Sequence, residues 1–443
     1  MTFTTVDELT VSRTGGRVYE EGWQSWSPTT TYGVTETSRR PESDMRHLMR
    51  FRPGTEQPPS GFQAEGLLVV DPGTGDPIRV YAAPPGSSGV PSIRAQLNED
   101  TVRISADGPL TSFTSSDMAA GLTRFGDDYV AAADVPPLKK PPAVWCSWYR
   151  YFEDVTDQDI LENLKAIESA ELPVDVIQLD DGWEAGVGDW TPLDHKFPSL
   201  RDMAQTIRWA GIWLAPFIAG AKPSLEQDHP EWLMGPAGTN WNQDIRGLDL
   251  SNPELRDYLW DIFRSLRENG FDYFKLDFLY GGALRGNRHA DVSAVEAYRS
   301  GLELIRDAVG PDSYLVGCGA PILPSVGLVD GMRVSPDTFH EHAQDANGEQ
   351  RGARGATARA WQHGRYWAND PDCLVARPTF ALREAWMTVI EQYGGLRSVS
   401  DRIAELDEWG LDATRRVLGT VPPISPFPAF ESTNLLINAI GTS

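Results

Sequence analysis

Apolar and polar positions in residues 1–135 fall into short runs of strand period. "GLLVV", "IRVYAA" and "TVRISA" are β-rich, and turn chemistry such as "DPGTGDP" and "PPGSSG" separates them. No convincing helical period appears there, so 1–135 reads as an N-terminal β-sandwich-like domain. "ADVPPLKKPP" is a Pro-rich hinge, with 136–142 as the linker. From 143 onward the pattern changes to strand-like runs alternating with helix-period segments. The strand candidates are 143–148, 174–181, 211–217, 273–278, 313–319, 331–337, 366–370 and 396–401. Between them, "TDQDILENLKAIESA" has Thr156 as N-cap, Asp159 in the first turn, and Ile160, Leu164 and Ile167 on one face. "SNPELRDYLWDIFRSLRENG" starts on a cap with Pro253 in the first turn and stops at Gly270. Eight such units over 143–420 predict an α/β fold, a (β/α)8 TIM-type barrel, with an open doubly wound sheet as the alternative. Residues 421–443 read as a short tail.

The polar residues of the barrel region concentrate at the C-terminal ends of the strands, the face where barrels carry their active sites. Trp148, Asp180, Asp181, Trp213, Lys275, Asp277, Cys318, Arg333, Asp337, Asn369 and Asp370 all fall there. In "FDYFKLDFLYGG" (271–282), Tyr273, Lys275 and Asp277 share one face by period-two alternation. Lys275 is expected to hold Asp277 ionised, lowering its pKa by about one to three units if within reach. An ionised carboxylate suits a nucleophile. Asp337 is the matching candidate for a proton donor, provided Arg333 is aimed at substrate rather than at Asp337. Two carboxyl groups flanking a sugar are what glycoside cleavage requires. Trp148, Tyr149, Trp183 and Trp213 near the strand ends offer flat faces for the C–H face of a pyranose.

Composition narrows the partners. Lys and Arg number 39 against 63 Asp and Glu, a net charge of −24. Such a field repels phosphate backbones and anionic membranes, which argues against nucleic acid and favours a neutral or cationic small molecule. No run of about 18 apolar residues spans a membrane. Cys146, Cys318 and Cys373 are too few and too irregularly spaced for a disulfide framework or a zinc ribbon. With no basic and apolar leader in "MTFTTVDELTVSR", a cytoplasmic, reducing location is expected.

Seven stretches, "WCSWYRYF", "QLDDGW", "GIWLAPF", "YFKLDF", "GCGAPILPSVG", "DGMRVSPD" and "WANDPDCL", occur in an order that resembles the bacterial α-galactosidases of glycoside hydrolase family 36. "EGWQSWSP" (21–28) is similar to the motif by which that family's N-terminal sandwich lends a tryptophan to the sugar pocket. The resemblance implies retaining hydrolysis of a small-molecule α-galactoside, with Asp277 as nucleophile and Asp337 as acid/base. It implies Asp180 and Asp181 on the galactose 4- and 6-hydroxyls. Lys275, Cys318 and Arg333 would line the same subsite, Cys318 near the 2-position, with Trp148, Tyr149, Trp213 and Trp26 as aromatic walls. No metal and no cofactor is expected.

Two departures stand out. "TIRWAGIW" shortens the helix–strand junction before Trp213, which puts that residue's placement at issue, and the chain ends too soon for the family's C-terminal β-domain. Rival readings are a metal-dependent hydrolase using His340 and His342 with Asp180 and Asp181, and a sugar-binding protein without turnover. α-N-acetylgalactosaminidase and galactosyl transfer are further alternatives on the same scaffold.

Overall fold

In the computed structural model, residues 2–38, 47–56, 58, 60–221, 225–337 and 351–427 are described. Eight parallel strands form the larger unit: β1 (Ala143–Cys146), β2 (Val176–Leu179), β3 (Ala210–Leu214), β4 (Phe271–Leu276), β5 (Tyr314–Gly317), β6 (Gly331–Arg333), β7 (Ala368–Asp370) and β8 (Arg397–Val399). They pair in the order β7-β6-β5-β4-β3-β2-β1-β8. A parallel bridge between Leu374 and Val399 closes the ring, with the Leu374 N–H donating to the Ser398 carbonyl at 2.8 Å. Each strand candidate overlaps one of these eight, and the (β/α)8 expectation holds. Strands of a closed parallel barrel are covered on both faces, which is why β1, β3 and β5 read as nearly unbroken apolar runs.

Helix signals also act where they were read. Thr156 and Asp159 form a reciprocal capping box at the start of Asp157–Ser169, with the Asp159 N–H donating to Thr156 Oγ1 at 3.2 Å and the Thr156 N–H to Asp159 Oδ2 at 3.0 Å. Asn252 caps Pro253–Asn269, which ends at Gly270.

The N-terminal region is a sandwich of two antiparallel sheets. One holds Thr4–Thr10, Thr101–Ala106, Ser92–Asn98 and Phe62–Glu65; the other holds Thr30–Gly33, Arg17–Glu20, Leu67–Asp71, Ile78–Ala82 and Thr111–Ser115. Period-two alternation divides "LLVV" between two cores. Leu68 and Val70 join Val18, Phe62 and Ile104 inside the sandwich, while Leu67 and Val69 face the core shared with the barrel.

One expectation fails here: Met118–Ala133 is a four-turn helix, capped by the Asp117 carboxylate on the Ala120 N–H at 2.7 Å. Its buried face is Gly121, Leu122, Phe125, Gly126 and Tyr129. Two of those five positions are glycine, which reads locally as a helix breaker. A Cβ on Gly126 would stand 3.0 Å from the Trp361 ring, so the glycine permits close contact with the barrel.

Two insertions were not read from the sequence. A hairpin of Glu184–Gly186 and Asp189–Leu193 follows β2, and a three-stranded sheet of Ile218–Gly220, Leu233–Asn240 and Gln243–Leu248 follows β3.

Candidate active site

Asp180 ends β2 and is held from several sides. Its Oδ2 accepts from Lys275 Nζ at 2.9 Å, from Gln178 Nε2 at 2.5 Å and from the Cys146 thiol at 3.3 Å; its Oδ1 accepts from the Asp181 N–H at 3.0 Å. Lys275 therefore forms its ion pair with Asp180, two strands away, and not with Asp277 as the strand parity implied. The pair is buried, with the Lys275 side chain 10% and Asp180 2% exposed. Such a pair is held by geometry and costly to break on one side.

Asp277 follows β4. Trp213 Nε1 donates to its Oδ2 at 3.1 Å, the Phe278 N–H donates to its Oδ1 at 2.8 Å, and the Cys318 thiol is a further hydrogen-bond partner. Burial raises the Asp277 carboxyl above the ordinary range, Lys275 and the hydrogen bonds from Cys318 and Trp213 pull it back, and the Asp337 charge adds to the rise. The expected lowering by Lys275 is thus outweighed, because a fully buried carboxylate loses more hydration than a cation paired elsewhere returns. Cys318 is itself pushed up by burial and then by Asp277, so its thiol keeps its proton.

The short junction before β3 leaves Trp213 in place. Trp213 is in register with Lys275 across the β3–β4 ladder, and Gly211 lets the strand pass, since a Cβ there would stand 2.9 Å from the Tyr273 ring.

Arg333 on β6 is aimed at Asp337, contrary to the orientation required above. Its Nη2 donates to Asp337 Oδ1 at 2.8 Å and to Asp372 Oδ2 at 2.9 Å. Asp372 Oδ2 also accepts from the Tyr149 hydroxyl at 2.5 Å. Tyr149 is buried, and its phenol is pushed well above its usual range by burial and then by the Asp337 and Asp372 charges.

Trp26 arrives from the sandwich. Its ring lies edge-on to Phe278 at 4.9 Å and to Tyr280 at 5.9 Å, and the Ser25 N–H bonds to the Ala320 carbonyl at 2.9 Å. Fully buried Arg359 anchors this segment, pairing with Glu21 Oε1 at 2.8 Å and donating to the Ser25 carbonyl at 2.7 Å. Trp148, half-buried, packs edge-on against Phe152 at 5.1 Å and stands outside these hydrogen bonds.

Three further residues belong to the cluster. Trp241 tips the hairpin joining Leu233–Asn240 to Gln243–Leu248; its Nε1 donates to Asp181 Oδ2 at 2.7 Å and its ring lies 5.0 Å from Phe278. Glu184 is buried and hydrogen-bonded to Asp181, whose carboxyl is raised well above the ordinary range by burial and then by the Glu184 charge. Asp372 is the third. Trp241 (φ 49°), Phe278 (φ 49°) and Asp372 (φ 107°) all carry left-handed backbone without being glycine. Each costs about 1–3 kcal/mol, and such strain gathers where the surroundings force a side chain into position. The available sequence signals were Asn242, a favoured residue in tight hairpins, and the two aspartates flanking Pro371.

His340 and His342 lie outside the described residues. Among the described residues one His/Glu group, His229, Glu231 and Glu254, brings possible ligand atoms within 4.8 Å of one another, none of the three being buried. No helix there is long and apolar enough to cross a membrane.

The chain is similar to known proteins. Residues 125–302 match the Melibiase family model. A probable α-galactosidase C of Aspergillus flavus is 30% identical over 175 residues, 33% of this chain and 22% of that protein. α-Galactosidase 1 of Pediococcus pentosaceus is 30% identical over 176 residues, 34% of this chain and 23% of that protein. The chain thus spans about a fifth of the length of these curated relatives. The α-galactosidase from Thermus thermophilus, solved with p-nitrophenyl α-D-galactopyranoside, superposes with a TM-score of 0.76 at 26% identity, covering 94% of this chain and 89% of that one. The family 36 α-galactosidase from Geobacillus stearothermophilus shares the fold, with a TM-score of 0.62 at 16% identity over 94% and 62% of the two chains. Motif order, the Melibiase match and the barrel with its N-terminal sandwich agree: the chain is similar, over most of its length, to the α-galactosidases of glycoside hydrolase family 36.

Proposed function

We propose that the chain is a retaining α-galactosidase that removes terminal α-linked galactose from oligosaccharides of the melibiose and raffinose type. The observation that carries the reading is the pairing of two carboxyl groups across one barrel mouth: Asp277, supplied with donors by Trp213, Phe278 and Cys318, and Asp337, hydrogen-bonded by Arg333. Asp277 attacks the anomeric carbon as the bond to the leaving oxygen breaks, and Asp337 gives that oxygen its proton. Asp337 then takes a proton from water, which displaces Asp277 and releases galactose with its configuration retained.

Asp180 and Asp181 are the acceptors for the 4- and 6-hydroxyls. Lys275 orients Asp180 through their ion pair, and Trp26, Trp213 and Tyr149 form the walls beside Cys318, while Trp148 contributes from the rim. No cofactor or metal enters the double displacement. Three free, buried cysteines support a reducing, cytoplasmic setting.

The test is Asp277→Ala on an aryl α-galactoside with external azide. Turnover is expected to be almost abolished, and azide is expected to restore part of it with the β-galactosyl azide as product. Unchanged turnover in the variant overturns the nucleophile assignment.

A further inference from the structure

Asp372 is 1% exposed and stands two residues beyond β7 with φ 107°, a backbone that L residues rarely adopt. Its surroundings hold it there. The Asp372 N–H donates to Asp370 Oδ1 at 2.9 Å, and its own Oδ1 accepts from the Cys373 N–H at 2.7 Å. The remaining oxygen, Oδ2, takes the Tyr149 hydroxyl and Arg333 Nη2. The same Nη2 reaches Asp337, so two carboxylates share one guanidinium nitrogen. Arg333 is buried, its Nε has no hydrogen-bond partner among the described residues, and the buried Asp370 carboxyl on β7 also feels its charge. Asp337 also senses Asp277 from the end of β4, Cys318 from the end of β5, and Tyr149 from the turn after β1.

Arg333 facing Asp337 alone would favour the carboxylate and oppose the proton that the leaving oxygen needs. We propose that Asp372 is a positioning residue for the acid step: it balances the charge of Arg333 and fixes its Nη2, so that Asp337 is aimed by a hydrogen bond yet keeps a proton to donate. The proposal rests on Asp337 being the acid/base.

The test is Asp372→Asn assayed on α-galactosides with leaving groups of graded acidity. General acid catalysis contributes about 10²–10⁴-fold, and it matters most when the leaving group is a sugar or an alkoxide. Loss in that range is expected on a disaccharide, with less than about tenfold loss on the most acidic nitrophenol. Affinity for galactose should be unchanged. A purely structural role would lower all substrates alike, and that result overturns the proposal.

A second variant tests the charge balance directly. Arg333→Met combined with Asp372→Asn removes both charges. It is expected to recover at least about tenfold of the disaccharide rate lost in Asp372→Asn, because the uncompensated cation is gone. A double variant no better than the single one contradicts charge balance. Asp337→Ala separates the two levels: a uniform loss across leaving groups there sinks the acid/base assignment itself, whatever Asp372 does. A wild-type protein that hydrolyses none of the α-galactosides refutes the activity.

Discussion

Replacing Trp213 with phenylalanine removes one donor from Asp277 while keeping most of the apolar ring. The Nε1–Oδ2 bond is 3.1 Å long and the indole is 2% exposed. Trp183 Nε1 bonds to the main-chain carbonyl of Trp213 at 2.9 Å, so that contact survives the change. A hydrogen bond to a charged group is worth about 1.5–3 kcal/mol. At about 1.4 kcal/mol per pKa unit, that equals roughly one to two units. The bond favours the ionised carboxylate, so its loss raises the Asp277 carboxyl further, on top of the rise that burial imposes. Attack needs the carboxylate. The kcat/KM of the free enzyme should fall as pH drops through the Asp277 pKa, and this acid limb should move up by roughly one to two units in Trp213→Phe. The assay is kcat/KM for a nitrophenyl α-galactoside from acid to neutral pH. Loss of packing alone would lower the curve evenly and leave the limb where it was, and that outcome refutes the reasoning.

Two further changes test the supports of the site. Asp181 and Glu184 are buried carboxyls hydrogen-bonded to each other, so one proton serves both; Glu184→Gln removes the charge that adds to the rise of Asp181, and one protonated-carboxyl component of the infrared spectrum at neutral pH should be lost. An unchanged protonated-carboxyl spectrum in the variant contradicts a shared proton. Arg359→Met leaves Glu21 buried without its cation and should cost about 3–5 kcal/mol in urea unfolding, with the Trp26 segment released from the barrel; unchanged stability would mean the clamp carries no load.

How much of this was legible differs from residue to residue. The eight barrel strands were, because burial on both faces writes a strand as an apolar run and the active face puts polar residues at one end of each run. The placement of Asp180, Asp181, Lys275, Asp277 and Arg333 near the same rim followed from that rule. Their partners did not. Lys275 and Asp277 share a strand face, yet neighbours on one face lie about 6.5–7 Å apart. The flexible lysine instead finds Asp180, which lies 95 positions away in sequence and close by in space. Arg333 likewise turns to Asp372, 39 positions on. Glu184 and Trp241 reach the site on insertions whose alternation is too short to stand out.

The sequence by itself determined the architecture and the chemical inventory: a (β/α)8 barrel behind a β-sandwich, with carboxylates, a lysine and aromatic residues at the mouth. These are written in local periodicity and turn chemistry, which act over a few residues. Tertiary structure alone decided which charge answers which. It put Lys275 on Asp180, divided Arg333 between Asp337 and Asp372, raised Asp277 by burial, and hid a glycine-faced helix, Met118–Ala133, in the seam between the two units. Desolvation and ion pairing depend on distances of a few ångströms between segments far apart in the chain, and no local pattern encodes those distances.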